Sequence, residues 1–273
     1  MKLNTAKEVL ENNGFEVRET DAMKGSCRVT ALNVGDGDFR IALYERSLEQ
    51  IESEKELLSF VEESLSRKPE IDKSLFHDRD YLLSHAVSCI RHATDDQKTV
   101  KWTFEDLEEY IRVYLNAPAE NGVMSMTVTE SLLEQTGIDK EEIHQAARKN
   151  LEEQTVITGM QQMIAEMIGS DGMEGLFPEM PEKIYVATTK NKLHGASVML
   201  LNDVLSSFCR EHCLKEVALV PCSINEILLV DSNLLSEEEI NAMIIQVNRE
   251  QVDEWERLSD HVYFYTLPET AAS

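Results

Sequence analysis

The chain has 273 residues, of which 42% are hydrophobic and 28% charged, the composition of a folded soluble protein. Asp and Glu number 51 against 26 Lys and Arg, so the formal net charge is -25 at pH 7. A surface of this sign repels phosphate backbones and anionic lipid headgroups, which argues against direct nucleic-acid or membrane binding. A partner protein with a basic surface fits the charge, although a high acid content also serves solubility alone.

The N-terminal sequence and the number and spacing of the cysteines indicate the cellular compartment of the protein. The first ten residues contain no apolar core of signal-peptide length. No later stretch approaches the about 20 consecutive apolar residues of a membrane-spanning helix. The five cysteines are odd in number and unevenly spaced, which is typical of a reducing compartment and not of a disulfide framework. We therefore expect a cytoplasmic protein.

The N-terminal part, residues 1–68, predicts a module of a helix, a hairpin and a second helix. Helical spacing of apolar residues and the Asn13-Gly14 stop favour the first helix. Two alternating stretches around a Gly/Asp turn at 35–38 are typical of a hairpin. The predicted elements are a helix over 3–13, strands over 15–19, 27–32 and 39–44, and a helix over 47–66.

The middle part, residues 75–169, follows a polar linker and predicts a hairpin and further helices. A continuous apolar stretch favours a mostly buried helix over residues 81–90. The acidic residue Asp139 is placed to cap a later helix. The other predicted elements are strands over 109–115 and 123–128, paired as a hairpin, and helices over 139–153 and 159–168.

The C-terminal part, residues 181–268, follows a boundary rich in glycine and proline at 170–181. Its apolar stretches and polar turns predict the order ββαββαβ, with a capping box at Ser236–Glu239. The predicted strands are 184–189, 195–200, 217–221, 226–230 and 261–265, and the predicted helices are 202–213 and 236–250.

The fold class that these elements predict is α+β, with antiparallel hairpins followed by helices. In the C-terminal ββαββαβ unit we expect the helices to pack on one face of the sheet. The three parts 1–68, 75–169 and 181–268 are predicted as modules, or alternatively as parts of one compact domain.

Short C-terminal motifs stand at Thr188-Thr189, Gly195-Ala196, Val220–Ser223, Asn225-Glu226, Val247-Asn248, Leu258–Asp260 and Val262-Tyr263. They resemble the pattern Leu-Pro-Ser-Ser-x-His-Glu and Leu-Ser-Asp-x-Val-Tyr of uncharacterised Firmicutes proteins that share a domain of unknown function. Two positions depart from this pattern, since Cys222 replaces a serine and Asn225 replaces the histidine. The resemblance implies a shared fold, and it implies no acid–base or metal role for residue 225.

A metal site is the first chemical hypothesis. Cys209, His212 and Cys213 stand at positions i, i+3 and i+4 of a predicted helix, a spacing that allows zinc ligation from one helix face. The same face carries Leu205 and Phe208, which favours core packing of these side chains instead. We therefore predict neither a metal nor any other cofactor.

An enzyme site at the link Pro221–Glu226 is the second hypothesis. Its candidate catalytic residues are Ser223, Glu226, Asp260 and Tyr263. The sequence around Ser223 lacks a Gly-x-Ser-x-Gly elbow, which leaves the serine without the usual arrangement for activation. The alternative is that Ser223 and Asn225 close the turn between two strands.

A protein-binding module without enzymatic activity is the interpretation we favour. Glutamates crowd the predicted helices 47–66 and 236–250, and the apolar Trp255 follows the second of them. The candidate binding residues are Asn225, Asn248 and Trp255. A sharper form of this hypothesis is an acidic inhibitor, encoded by a mobile element, that occupies the basic nucleic-acid channel of another protein.

Overall fold

The computed structural model describes residues 1–24, 27–35, 39–67, 72–115, 124–168 and 182–269. These residues form two compact units, one within 1–72 and the other within 73–115 and 124–269. The predicted turn at 35–38, the linker after residue 67 and the boundary at 170–181 lie wholly or partly outside the described residues. None of the described helices is both long and apolar enough to cross a membrane.

The first unit contains the predicted helix, hairpin and second helical region. Its elements are α1 (Leu3–Asn12), β1 (Val17–Lys24), β2 (Cys27–Val34), β3 (Ile41–Tyr44), α2 (Glu45–Glu49) and α3 (Glu54–Ser66). The strands form an antiparallel sheet in the order β1-β2-β3, which confirms the predicted pairing of β2 with β3. The helix predicted over 47–66 is divided because Ser53 caps α3, its Oγ accepting the Glu56 N–H at 3.2 Å.

The second unit contains two antiparallel sheets and the remaining helices. Its middle elements are α4 (Arg79–His85), β4 (Ala86–His92), β5 (Lys101–Phe104), β6 (Leu107–Leu115), β7 (Met124–Thr127), α5 (Glu130–Thr136), α6 (Lys140–Gln154), β8 (Thr155–Gly159) and α7 (Met160–Ile168). Its C-terminal elements are β9 (Ile184–Thr189), α8 (Asn202–Glu211), β10 (Glu216–Ser223), β11 (Glu226–Asp231), α9 (Glu237–Glu250) and β12 (Tyr263–Thr266). Short 3-10 helices cover Lys73–His77, Gly195–Leu200 and Glu254–Glu256.

The two sheets of the second unit confirm the predicted α+β class. One sheet has five strands in the order β12-β10-β11-β9-β8. In the other sheet β4 pairs with β6, and both β5 and β7 pair with the opposite edge of β6. The predicted hairpins 109–115 with 123–128 and 217–221 with 226–230 are therefore present as β6–β7 and β10–β11.

The segment 195–200, predicted as a strand, is instead the 3-10 helix Gly195–Leu200. Strand β9 already has β11 on one edge and β8 on the other, so no edge of β9 is left for a hairpin partner. All six residues of the 3-10 helix are buried. The helix packs against β4 of one sheet and against β9, β10 and β11 of the other, and it therefore lies between the two sheets.

The two long C-terminal helices lie on opposite faces of the five-stranded sheet, which corrects the expectation of helices on one face. Phe208 of α8 shares a hydrophobic cluster with Leu219 and Leu229. Ile244 of α9 packs with Ala218 and other residues of the opposite face. Neighbouring residues of a strand point to opposite faces, so Ala218 and Leu219 assign the two helices to different sides.

The helix predicted over 81–90 is the helix α4 followed at once by the strand β4. Every residue from Ala86 to Arg91 is buried, so the sequence shows no periodicity that would distinguish a helix from a strand here. The Asn150 side chain donates hydrogen bonds to Leu83 O at 2.9 Å and Ala86 O at 2.8 Å, where the helix ends. The predicted division into modules 1–68, 75–169 and 181–268 stays a prediction.

Candidate functional site

The link between β10 and β11 is held to a neighbouring loop by hydrogen bonds from several directions. The Asn225 N–H donates to Ser223 Oγ at 3.0 Å, and the His194 N–H donates to Asn225 Oδ1 at 3.1 Å. The Asn225 carbonyl accepts from Thr188 Oγ1 at 2.8 Å and from Gly195 N at 3.1 Å. Asn225 therefore closes the turn and fastens it to the chain entering the 3-10 helix.

Gly195 stands at the closest approach between this loop and the link. A Cβ atom there would lie 2.4 Å from the Asn225 carbonyl oxygen and 2.4 Å from Thr188 Oγ1. Such distances are too short for any side chain, so only glycine fits at this position. The motif residues Thr188, Gly195 and Asn225 thus form one hydrogen-bonded contact between strand, loop and link.

The four candidate catalytic residues face different partners. Asp260 Oδ1 accepts from Asn248, Tyr263 OH donates to Asp106, and Ser223 Oγ accepts within the link. Tyr263 stands opposite Leu219 of β10 in the sheet. Leu219 precedes Ser223 by four residues along β10, so the two positions are about 13 Å apart at 3.3 Å per residue. The structure therefore does not bring Ser223 and Tyr263 together in one catalytic group, and the exposed Glu226 lines none of the cavities described below.

The thiol beside this link is also unsuited to nucleophilic chemistry. Cys222 is half-buried in the strand, and the pKa of its thiol is raised to about 12, mainly by burial. The nearby Glu226 carboxylate contributes to this rise, because it disfavours a second negative charge. A cysteine in this state remains a neutral thiol at physiological pH.

Asn248, a predicted binding residue, is buried and has a structural role. Its Nδ2 donates to Ser259 O and to Asp260 Oδ1, both at 2.8 Å. These bonds hold the segment before β12 against α9. Trp255, a second predicted binding residue, is half-buried in the 3-10 helix Glu254–Glu256. The Ile224 N–H donates to Glu256 O at 2.8 Å, so this helix is tied to the same link.

Asp106 joins the two sheets of the second unit, and no sequence signal pointed to it. It lies in the turn between β5 and β6, where Oδ1 accepts from Tyr263 OH at 2.8 Å and Oδ2 lies 3.2 Å from His261 Nε2. Burial opposes ionisation of Asp106, but hydrogen bonds from Tyr263 and His261 hold the pKa of this carboxyl below its usual value. The Tyr263 pKa is raised, first by burial and then by Asp106.

The three candidate zinc ligands, in and just after α8, point to different surroundings. Cys209 lies in the hydrophobic core, where burial raises the pKa of its thiol, and Cys213 is exposed with a left-handed φ of 56°. His212 Nδ1 lies 3.0 Å from the Tyr185 hydroxyl. Among the described residues, no group of three His, Cys, Asp or Glu side chains is arranged to hold a metal ion.

His212 belongs instead to an aromatic cluster with Tyr185 and Phe208. The ring centroids are 4.4 Å apart for Tyr185 and His212, 4.5 Å for Phe208 and His212, and 5.0 Å for Tyr185 and Phe208. Two cavities, of about 300 and 620 Å³, are both lined by these three rings. The aromatic cluster therefore separates two depressions on the α8 side of the five-stranded sheet.

The exposed surface of α9 carries apolar side chains on both sides of its buried stripe, and glutamates form its first turn. Met243, Ile245 and Val247 are 47%, 52% and 43% exposed, although they are large hydrophobic side chains. Glu237 of the first turn is exposed, and in the last turn the exposed Glu250 follows the exposed Arg249. We call the exposed residues of Glu237–Glu250 the α9 surface.

Comparison with known proteins gives the family and no function. The model of the family of unknown function DUF5688 matches residues 42–266, more than four fifths of the chain. No curated protein and no solved structure matches the sequence. The match runs from within β3 in the first unit through β12 in the second. The chain therefore belongs to the family of unknown function DUF5688.

Proposed function

We propose that this protein is a cytoplasmic, non-enzymatic module that binds a partner protein with a basic surface. The α9 surface carries this proposal. It exposes Met243, Ile245 and Val247 to solvent, and methionine is among the residues enriched at protein interfaces. Each of these side chains would lose contact with water when a partner covers the helix, which is favourable by about 25 cal/mol per Å² of apolar surface.

The charges around the α9 surface favour a cationic partner. Glu237, Glu238 and Glu239 form the first turn of α9, and Glu250 ends it. The whole chain carries a net charge of -25, which attracts a basic surface over long range and accelerates its encounter. The exposed apolar side chains then supply the contact area, while the acidic first turn sets the orientation of the partner.

The enzyme alternative at Pro221–Glu226 has less support. Ser223, Asp260 and Tyr263 each hydrogen-bond to a different partner, so a nucleophile, a base and an oxyanion site are not assembled there. The sharper inhibitor hypothesis, occupation of a basic nucleic-acid channel, remains a special case of the proposed binding. Its distinguishing result would be that DNA competes with this protein for the captured partner.

Site-specific photocrosslinking in native cytoplasm tests the proposal. A photoreactive amino acid at Met243 should yield one defined adduct, and the yield should fall when the salt concentration is raised from 0.1 to 0.5 M, about a two-fold decrease in screening length. The same amino acid at Lys149, an exposed position of α6, serves as the control. Equal labelling from both positions, or a yield that salt leaves unchanged, would overturn the proposal.

A second variant checks the apolar part of the surface. Met243→Ser combined with Val247→Ser removes two of the three exposed apolar side chains and leaves the buried Ile240 and Ile244 in place. The variant should fold as the wild type does, and its adduct from position 245 should be lost. Retention of that adduct would show that Met243 and Val247 do not form the contact.

A further inference from the structure

The outer edge of β8 is not paired with any strand of the described residues. The Lys190 N–H donates to Gln154 O at 2.9 Å, so Gln154 and Lys190 are a hydrogen-bonded pair. From there, hydrogen-bonded and non-hydrogen-bonded pairs alternate along β8 and β9. In an antiparallel pair only every second residue bonds to the neighbouring strand, so Val156 and Thr158 bond to β9. The backbone groups of Ile157 therefore point away from the sheet, together with the Thr155 carbonyl and the Gly159 N–H.

The larger cavity, of about 620 Å³, lies along this edge. Thr155, Ile157 and Gly159 line it, which places the cavity on the face to which the alternate residues of β8 project. The aromatic cluster of Tyr185, Phe208 and His212 lines the same cavity. A strand added beside β8 would project every second side chain towards these rings, because side chains on paired strands share a face.

The charge of the cavity selects a cation. Glu152, Asp203 and Glu211 are among its lining residues, whereas none of the described residues that line it is Lys or Arg. Arg148 lies near one end, but its guanidinium is bound to the buried Glu109 carboxylate at 2.6 Å. Aromatic faces add to the attraction, since an ammonium or guanidinium group binds favourably over them.

We propose that the β8 edge and this cavity bind an extended segment of a partner protein that carries Lys or Arg at alternate positions. The segment adds to the sheet as a sixth strand beside β8, with its backbone paired to the outward groups around Ile157. Its basic side chains enter the cavity towards Asp203 and Glu211. We call this place the β8 site; it lies on the α8 face of the sheet, opposite to the α9 surface, and does not depend on it.

Titration of the full chain with a defined peptide tests this proposal. The probe is a fluorescent peptide of four Thr-Lys repeats, and its Thr-Glu counterpart controls for length and strand propensity. Asp203→Asn with Glu211→Gln should weaken binding of the Thr-Lys peptide at least tenfold, as measured by fluorescence anisotropy. Glu237→Gln with Glu238→Gln changes the net charge equally on α9 and should change the affinity less than twofold.

Backbone pairing is tested separately with N-methylated probes. A strand uses only alternate N–H groups on its paired edge, so methylation of one alternate set should abolish binding and methylation of the other set should spare it. Equal binding of both methylated peptides, with full competition by free lysine amide, would assign the cavity to small organic cations and overturn strand addition. If the α9 double variant weakened peptide binding as much as the Asp203 and Glu211 double variant, the binding would be general charge attraction, and the proposed site would be overturned.

A third variant guards against misfolding of the carboxylate double variant. Ser207 is exposed on α8 and lines the cavity. Ser207→Arg places a cation of the chain itself in the β8 site and should abolish binding of the Thr-Lys peptide, while the thermal unfolding midpoint stays as in the wild type. Unchanged binding by this variant would contradict the proposed location.

Discussion

Glu108 and Glu109 are consecutive residues of β6, yet their carboxylates are buried on opposite faces of the same sheet, each beside an arginine. Glu108 accepts from Arg91 Nε at 2.8 Å, and Glu109 accepts from Arg148 Nη2 at 2.6 Å. Side chains alternate along a strand, so the two glutamates reach different surroundings. The strand is thus fixed from both sides by ion pairs, and neither pair compensates for loss of the other.

The ion pair on the α6 side should contribute strongly to stability. Arg148→Ala would leave the Glu109 carboxylate buried without a cationic partner, although His144 Nε2 lies 3.0 Å away. Breaking a buried pair in this way costs about 3 kcal/mol in the free energy of unfolding, measurable by urea denaturation at pH 7. Lys149→Ala alters the next residue, whose 4.0 Å ion pair is exposed, and should change that free energy by less than about 0.5 kcal/mol. Equal effects of the two substitutions would contradict the prediction.

The same carboxylate should make stability depend on pH in the acid range. Burial alone would raise the pKa of Glu109, but the hydrogen bonds from Arg148, with the nearby Ser88 and His144 side chains, hold it below its usual value. Because the folded pKa is the lower one, this stabilisation is complete above the unfolded value and is lost as the pH falls through the folded value. Glu109→Gln removes this titration. Its unfolding free energy should be lower than that of the wild type at pH 7 and should decline less between pH values of about 5 and 3. Parallel curves for the two proteins would refute this assignment.

Gly195 should tolerate no side chain, for steric and not conformational reasons. Gly195→Ala puts a methyl group within 2.4 Å of Thr188 and of the Asn225 carbonyl, and such overpacking costs about 2 kcal/mol or more. Gly137 provides the comparison, because its φ is 66° and a Cβ there meets nothing within 4 Å. Gly137→Ala should therefore cost only about 1 kcal/mol of backbone strain, and Gly137→Asn should recover part of it. Gly195→Asn should recover nothing, as judged from thermal unfolding of both pairs.

Asn248 should be required as a hydrogen-bond donor. Both bonds of its Nδ2 end on acceptors, the Ser259 carbonyl and the Asp260 carboxylate. Asn248→Asp would place a carboxylate oxygen, a third acceptor, next to the Ser259 carbonyl and the Asp260 carboxylate. Asn248→Leu would only leave these two acceptors without a donor. We therefore expect Asp to destabilise the protein more than Leu, by about 1 kcal/mol or more in the free energy of unfolding. A Leu variant less stable than the Asp variant would show that packing, and not donation, is the role of Asn248.

The predicted elements with local signals are present in the structure. The capping box at Ser236 and the acidic cap at Asp139 both form, because their partners lie within one turn of helix. Strand β8 was not predicted, since α6 passes into it at Thr155 with neither glycine nor proline between them. The 3-10 helix Gly195–Leu200 was predicted as a strand, because an apolar stretch of six residues fits either state until its neighbours are known.

The contacts of the candidate site were even less predictable from the sequence than the secondary structure. His212 stood out for its spacing from two cysteines, but its actual neighbours are Tyr185 and Phe208. Tyr185 lies 27 residues away on another element, and nothing in its own sequence context marks it. Asp106 and Tyr263 are separated by 157 residues and also meet only through the sheets. Contacts of this range depend on topology, which periodicity and turn chemistry do not specify.

The position of Gly195–Leu200 between the two sheets has a consequence for synthesis of the protein. A nascent chain that has emerged as far as α7 already contains β4 and β6, but not the residues that cover Ile90 and Leu107. At about 5–20 residues per second, some 30 further residues reach the end of the 3-10 helix only after seconds. During that interval an apolar sheet face is not yet covered, so we expect ribosome-associated chaperones to bind the nascent intermediate.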